Sequence, residues 1–241
     1  MSVVVPVRNE AGNIAPLVDE IAAALGTRWS FEAIFVNDGS TDATGAELVG
    51  LMAGRPWLRQ LKHDRSCGQS AAVRTGAAAA RGATVATLDG DGQNDPAYLP
   101  RLIEVLEAGA PRVGLVAGQR TGRTDTGLKR IMSRLANRTF NAAFHTSTRD
   151  TGCGLKAFRR DVFLALPYFD AQHRFLPPLV RREGFEIAYV DVVDRPRRFG
   201  KSHYRIWDRL WVSLADLLGV LWLMKRRKRV PIVSEEFPDA H

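Results

Sequence analysis

The chain has 241 residues, 45% hydrophobic and 25% charged, with a formal net charge of +8. That fits one substantial globular core and excludes a disordered chain, while the basic balance suits nucleic acid, anionic lipid or phosphorylated substrates without choosing among them. The two cysteines, Cys67 and Cys153, form no C-x-x-C pair or disulfide framework, which points to a reducing compartment.

"SVVVPV", from residue 2, already reads as a buried strand with no basic leader before it, so no signal peptide is expected. Strands are predicted at 3–7, 33–37, 58–61, 84–88 and 113–117, with helices near 12–25, 42–53, 68–81 and 96–108. Thr41-Asp42 followed by Glu47 marks one helix start, and Asp95 followed by Pro96 marks another. Strand–helix alternation of this kind predicts an α/β fold with a mainly parallel sheet sandwiched by helices. Ligands bind such sheets beyond the carboxyl ends of the strands. The clusters "RNE", "NDGSTD" and "DGDGQ" each follow an apolar strand and are expected along that one edge. Later come a helix near 127–145, a turn into a short strand at 150–160, a strand at 185–192 and a basic loop at 195–204.

The segment "TLDGDGQNDP" (87–96) places Asp89 and Asp91 two residues apart among glycines. By itself a D-x-D is a polar turn or a cation site. An EF-hand fits poorly, because its sixth position would be Asn94 and its twelfth Pro100. Neither a dinucleotide fingerprint nor a G-x-x-x-x-G-K-[ST] phosphate loop is present. A Mg²⁺ or Mn²⁺ site that shares its shell with a diphosphate remains, with Asp91 as ligand, Asp89 as ligand or sugar contact, and Gln93 as a neutral oxygen.

"VVVPVRNEAGNI" (3–14), "FEAIFVNDGSTDAT" (31–44), "CGQSAAVRTGAAAARG" (67–82) and "TLDGDGQNDP" occur in that order. Together they resemble family 2 glycosyltransferases with the nucleotide-sugar-binding, GT-A type fold. "GQR" (118–120), "KRIMSR" (129–134), "DTGCGLKAFRR" (150–160), "HRFLPPLVRREG" (173–184) and "RRFGKSHY" (197–204) resemble its polyprenyl-phosphate sugar synthase branch, typified by dolichol-phosphate mannosyltransferase. The resemblance covers roughly residues 2–226.

The resemblance implies transfer of a hexose or hexose derivative from a nucleoside-diphosphate sugar donor to a polyprenyl-phosphate acceptor, dolichyl or undecaprenyl, by metal-assisted inverting displacement. Its nucleotide pocket maps onto Pro6, Arg8, Glu10 and Asp38. Its metal and diphosphate group maps onto Asp89, Asp91 and Gln93, and its acceptor-phosphate group onto Arg120, Lys129 and Ser133, with Arg130 as an alternative to Lys129. Arg198, Gly200 and Ser202 match the loop that covers the donor diphosphate, where His203 replaces the family's usual lysine and Lys201 lies two residues earlier. His173 and Arg174 match a pocket-lining pattern or an ordinary helix start. A phosphate monoester is already ionised near neutral pH, its second pKa being about 6, so no general base is required. A family 2 enzyme acting on a sugar hydroxyl would need one, and Asp150 is the candidate. A nucleotidyltransferase would need a glycine-rich triphosphate loop near the first strand, and none is found.

The segment 204–229 ends in "KRRKR", and the apolar run 210–224 is interrupted by Asp216. Fifteen helical residues reach roughly 22 Å, short of the ~30 Å hydrocarbon layer. On a helical wheel Arg205, Asp208, Arg209 and Asp216 fall within about 100°. With Trp207, Trp211 and Trp222 this predicts an interfacial amphipathic helix on an anionic membrane surface; the alternative is a core helix packed on the sheet. The basic residues follow an apolar helix instead of alternating with aromatics, which speaks against nucleic acid. The expected organisation is a catalytic domain at 1–204, a membrane-associating helix and polybasic block at 205–229, and a flexible tail at 230–241. The expected location is the cytoplasmic face of a membrane, the bacterial inner membrane. Members of that branch often continue into spanning helices, so a separate integral membrane protein is an expected partner.

Overall fold

The structure, a computed structural model, describes residues 1–26, 28–121, 138, 140–144, 146, 148–196 and 206–226, with side chains from 215 onward in the last stretch. Among them runs a seven-stranded sheet: β1 (Ser2–Val7), β2 (Glu32–Asp38), β3 (Leu58–His63), β4 (Thr84–Thr87), β5 (Val113–Arg120), β6 (Lys156–Arg159) and β7 (Glu186–Val192). The strand order is β3-β2-β1-β4-β6-β5-β7. Pairing is parallel except at β6, which runs antiparallel to both β4 and β5.

The strands are apolar on both faces because helices cover both faces. Val3, Val5, Val7 and Phe35 pack on one side with residues of α1 (Ile14–Leu25), α2 (Thr44–Met52) and α4 (Leu99–Ala108). Val4, Ile34, Val36, Val85, Leu115 and Phe158 pack on the other with α3 (Gln69–Ala79), α5 (Arg160–Ala165), α6 (Leu176–Arg182) and part of α7 (Ile206–Lys225). Each such aliphatic or Phe side chain contributes about 1.5–3 kcal/mol on burial. The alanine-rich composition of α3 has a steric cause. A Cβ at Gly76 would lie 2.3 Å from a Val4 methyl, so only small residues let this helix approach β1.

Helix α1 buries Ile14, Leu17, Val18, Ile21 and Leu25, one face at helical spacing. Asn13 gives it no side-chain cap. Instead Glu47 of α2 accepts hydrogen bonds from the backbone N–H groups of Gly12 (2.9 Å) and Ala15 (3.2 Å). Glu47 stands in the first turn of its own helix, as the sequence predicts, and also caps the neighbouring one. The Asp95 cap is as predicted, accepting from the N–H of Ala97 at 2.9 Å. A 3-10 turn at Pro96–Tyr98 then precedes α4. Most of the predicted helix at 127–145 lies outside the described residues, although 140–144 are helical.

Helix α7 places Val220 in the core, with Leu217, Leu221, Leu223 and Met224 packed against it. Leu218 and Trp222 remain exposed, and the Arg226 guanidinium lies 5.1 Å from the Trp222 ring centroid. One face of this stretch is therefore a core face, as the alternative reading had it, and the other is an apolar surface. No described helix is long and apolar enough to cross a membrane.

Candidate active site

Because β1, β2 and β4 are parallel, the loops that follow them emerge at one edge of the sheet. Strand β6 runs the other way, so the turn at 150–155 leading into it arrives at that same edge. The three polar clusters meet there. A Cβ at Gly90 would lie 2.5 Å from a Val7 methyl, so glycine lets the carboxylate loop lie against the end of β1. Asn9, at φ 55°, accepts from the N–H of Thr41 (2.8 Å) and donates its own N–H to Ser40 (3.0 Å), lacing the first loop to the second.

In these loops Arg8 is exposed, whereas Glu10 accepts from the Asn13 amide at 2.8 Å. Pro6 lines a cleft shared with Asp89. Asp38 is 4% exposed and receives four donors. They are His63 Nδ1 (2.7 Å), Ser66 Oγ (2.7 Å) and the backbone N–H groups of Cys67 (2.8 Å) and Gly68 (2.9 Å). Burial works to raise its pKa, but the Cys67 N–H, His63, Ser66 and Gly68 N–H outweigh it and hold Asp38 below the usual carboxylate range. Asp38, His63 and Cys67 also form the one group of three His, Cys, Asp or Glu side chains within ligating distance among the described residues. His63 spends Nδ1 on Asp38 and Nε2 on Thr75 (3.0 Å), so this is a hydrogen-bond knot that pins the 63–68 turn.

Asp89 sits differently. Its Oδ1 accepts from Gln69 Nε2 at 2.8 Å, and its N–H donates to Asn94 Oδ1 at 2.9 Å. Burial raises its pKa to about 6; Asp91 and Asp194 add to the rise, and Lys156 and Arg120 oppose it. A Cβ at Gly154 would lie 2.3 Å from Asp89 Oδ2, so glycine at 154 sets where this carboxylate rests. Asp91 is 8% exposed and accepts from the N–H of Gln93 at 3.1 Å. A hard divalent cation fits here. The two carboxylates of Asp89 and Asp91, with Gln93 beside them, offer oxygen ligands only. Asp89, Asp91 and Gln93 are the residues that would hold it.

Arg120, at the end of β5, is clamped between two carboxylates. It grips Asp150 through Nε and through Nη2 (2.9 Å), and Asp194 through Nη1 (3.1 Å). Burial favours its neutral form, but Asp150 and Asp194 overrule it and hold the guanidinium protonated. Asp194 also accepts from Asn94 (3.2 Å), and the N–H of Arg195 donates to the carbonyl of Gln93 (2.8 Å). Asp194 and the described start of the basic loop, 195–196, are thus hydrogen-bonded to the carboxylate loop. Lys129, Ser133, Arg198, Lys201 and Ser202 lie outside the described residues, as do Arg130 and His203.

Sequence reasoning missed Lys156. It stands at the start of β6, opposite Thr87, 5% exposed, and its ammonium donates to the Cys153 carbonyl. The available signal was a lysine within the apolar run "CGLKAF". His173 was noted only as an alternative to a helix start; it lines the same cleft as Lys156.

The model of "Glycosyl transferase family 2" matches residues 2–166. "Dodecaprenyl-phosphate galacturonate synthase" of Rhizobium johnstonii is 36% identical over 95% of this chain and 68% of its own length. "Undecaprenyl-phosphate 4-deoxy-4-formamido-L-arabinose transferase" of Pectobacterium carotovorum is 34% identical over 92% of this chain and 67% of its own. Among solved structures, glucosyl-3-phosphoglycerate synthase from Mycobacterium tuberculosis, in complex with Mn²⁺, uridine diphosphate and phosphoglyceric acid, superposes with a TM-score of 0.70. That likeness covers 92% of this chain and 77% of the other at 22% identity, and it shows the fold. With the strand order, the carboxylate loop and these matches in agreement, the chain belongs to glycosyl transferase family 2.

Proposed function

We propose that this enzyme transfers a sugar from a nucleoside-diphosphate donor to a polyprenyl monophosphate, with inversion at the anomeric carbon. The relatives named for dodecaprenyl and undecaprenyl phosphate support the acceptor class. The observation that carries the reading is the engagement of Asp150. A sugar hydroxyl needs a base to become a nucleophile, and the carboxylate suited to that task is gripped by Arg120 through two nitrogens. A phosphate oxygen is ionised on arrival and needs only positioning.

The acceptor oxygen attacks the anomeric carbon, the bond from that carbon to the diphosphate breaks, and the nucleoside diphosphate leaves with the electron pair. An α-linked donor gives a β-linked product. When bound, Mg²⁺ or Mn²⁺ supplies positive charge against the departing diphosphate. Asp89 and Asp91 fix the site for that charge, and Gln69 and Asn94 orient Asp89. Pro6, Arg8, Glu10 and the Asp38-pinned turn frame the nucleotide side. Lys129, Ser133 and the basic loop with Arg198, Lys201 and Ser202 supply cations and donors for the two phosphate groups. The exposed Leu218 and Trp222 beside Lys225 and Arg226 support docking of α7 on an anionic bilayer, the cytoplasmic face of the inner membrane. There the acceptor lipid and a separate integral membrane protein would be met.

The test is a radiolabelled transfer assay of UDP- and GDP-sugars onto undecaprenyl phosphate. Transfer is expected to require Mg²⁺ or Mn²⁺, to give inverted product, and to fall about 10³-fold in Asp91→Ala. Full activity in EDTA, or retained configuration, overturns the proposal.

A further inference from the structure

Past the end of β7 the chain doubles back along the edge that carries the site. Strand β7 stands three places from β4 in the sheet, yet Asp194 and Arg195, two and three residues beyond it, are bonded to the loop that follows β4. On the way the segment crosses the end of β5, where Asp194 meets Arg120 (3.1 Å). Pro196 follows and disfavours helical backbone at Arg195, so the crossing stays extended.

Its bonds reach each of the three residues expected to hold the cation. Asp194 accepts from Asn94 Nδ2 (3.2 Å), and Asn94, 2% exposed, turns its Oδ1 to the N–H of Asp89 (2.9 Å). The N–H of Arg195 donates to the Gln93 carbonyl (2.8 Å), and the N–H of Gln93 donates to Asp91 Oδ1 (3.1 Å). The Arg195 guanidinium then ties the loop to its surroundings. Its Nη2 meets Asp95 (2.5 Å), which caps the next turn, and its Nη1 meets Glu20 of α1 (2.7 Å).

The loop needs this support. Gly90 and Gly92 separate the three residues, Gly92 at φ 75°, and glycine gives a backbone more freedom than any other residue. A Mg²⁺-sized ion demands near-ideal octahedral oxygens, so freedom between its ligands costs affinity. Removing a group that orients a metal ligand typically costs about 10–100-fold in affinity or activity.

We propose that Asp194 and Arg195 are positioning residues for the divalent cation. They act through Asn94, Gln93 and Asp95 rather than on the ion, and hold Asp89, Asp91 and Gln93 in the arrangement that receives it. This rests on the metal site read above and adds the residues that set its geometry. A purely electrostatic role is separable by sign. Arg195→Met removes a positive charge near the site, which by charge alone would strengthen cation binding. Asp194→Asn removes a negative one, which would weaken it. Loss of position weakens both. Methionine releases Asp95 and Glu20, and asparagine sets an amide NH₂ against Arg120 or Asn94, where a carboxylate oxygen had accepted.

The test is calorimetric titration of the full chain with UDP and, in parallel, GDP, each in excess Mn²⁺ and in EDTA. The readout is the gain in nucleotide affinity that Mn²⁺ brings. Arg195→Met and Asp194→Asn are each expected to cut that gain about tenfold, and Arg195→Lys to keep part of it. The Arg195 side chain is 31% exposed and the Asp194 change conserves shape, and melting in EDTA checks that each variant is folded. Should one fail to fold, the other carries the test. An undiminished gain overturns the proposal, even where affinity falls equally with and without Mn²⁺. A larger gain in Arg195→Met overturns it too, since charge alone would then be at work. Asp91→Ala, expected to abolish the gain, keeps the two readings apart. If Asp91→Ala abolishes the gain and the two variants spare it, the positioning role alone falls. If wild-type protein gains nothing from Mn²⁺ with either nucleotide, the metal site falls and the positioning role with it.

Discussion

Asp38 and Asp89 flank β1 on either side, one ending β2 and the other following β4, yet their surroundings are opposite. Asp38 receives four donors and is held below the ordinary carboxylate range. Asp89 receives Gln69, is crowded by Asp91 and Asp194, and is pushed up to about 6, burial being the main cause. A carboxylate with all its acceptor positions filled stabilises its own turn. One left short of positive partners is kept at a cost to the fold, and such groups mark functional sites.

Swapping each for its amide is the sharpest way to break this contrast. In EDTA, Asp38→Asn should lower the unfolding free energy by about 2–3 kcal/mol at pH 7.5, because it mismatches charged hydrogen bonds. Asp89→Asn should raise it by an amount of the same order while abolishing transfer. Urea melts of the two variants check both signs.

The pH dependences differ in sign as well. Asp38, lowered in the fold, contributes stability above its unfolded pKa of roughly 4, and loses it as pH falls through the folded value. Asp89, raised in the fold, binds its proton more tightly when folded. Its contribution is complete below its unfolded pKa of roughly 4 and is lost as pH rises to about 6. Metal-free wild-type protein should therefore lose stability between pH 4 and 6 along a slope that Asp89→Asn flattens. An unchanged slope would remove the distinction between the two aspartates.

A gentler probe is Gly154→Ala, whose methyl would meet Asp89 Oδ2. Displacing that carboxylate should cut transfer about 10–100-fold with a small change in melting temperature, since misplacement by about an ångström is enough. The smallest effect is expected far from both aspartates. Leu218→Glu with Trp222→Glu should reduce binding to anionic vesicles several-fold while leaving soluble donor binding unchanged, as sedimentation with liposomes would show.

The parallel half of the sheet was legible because 3–7, 33–37 and 84–88 are short, largely apolar runs between turn signals, and their common direction brings the polar clusters to one edge. Strand β6 was legible only as a short strand after a turn. Its four residues "KAFR" carry a cation at each end, and nothing local says that it wedges between β4 and β5. The D-x-D loop could be read from the chain because its residues are neighbours in sequence. The clamp on Arg120 could not, since Asp150 and Asp194 lie 30 and 74 residues away. Nor could the capture of Asp38 by the 63–68 turn, for a "DGST" sequence looks the same whether or not a later loop closes over it. Lys156 was passed over because a lysine is ordinarily a surface residue; only the sheet position of β6 buries it.

That wedge has a bearing on how the protein is made. Strand β5 reaches the sheet through β6 alone on that side, and β7 hangs on β5. On the ribosome, then, residues 113–120 must wait for a tetrapeptide synthesised some forty positions later before they find their place. The keystone that locks the two halves together also delivers Gly154 to Asp89, so a nascent chain stalled before it has neither a closed sheet nor a working centre.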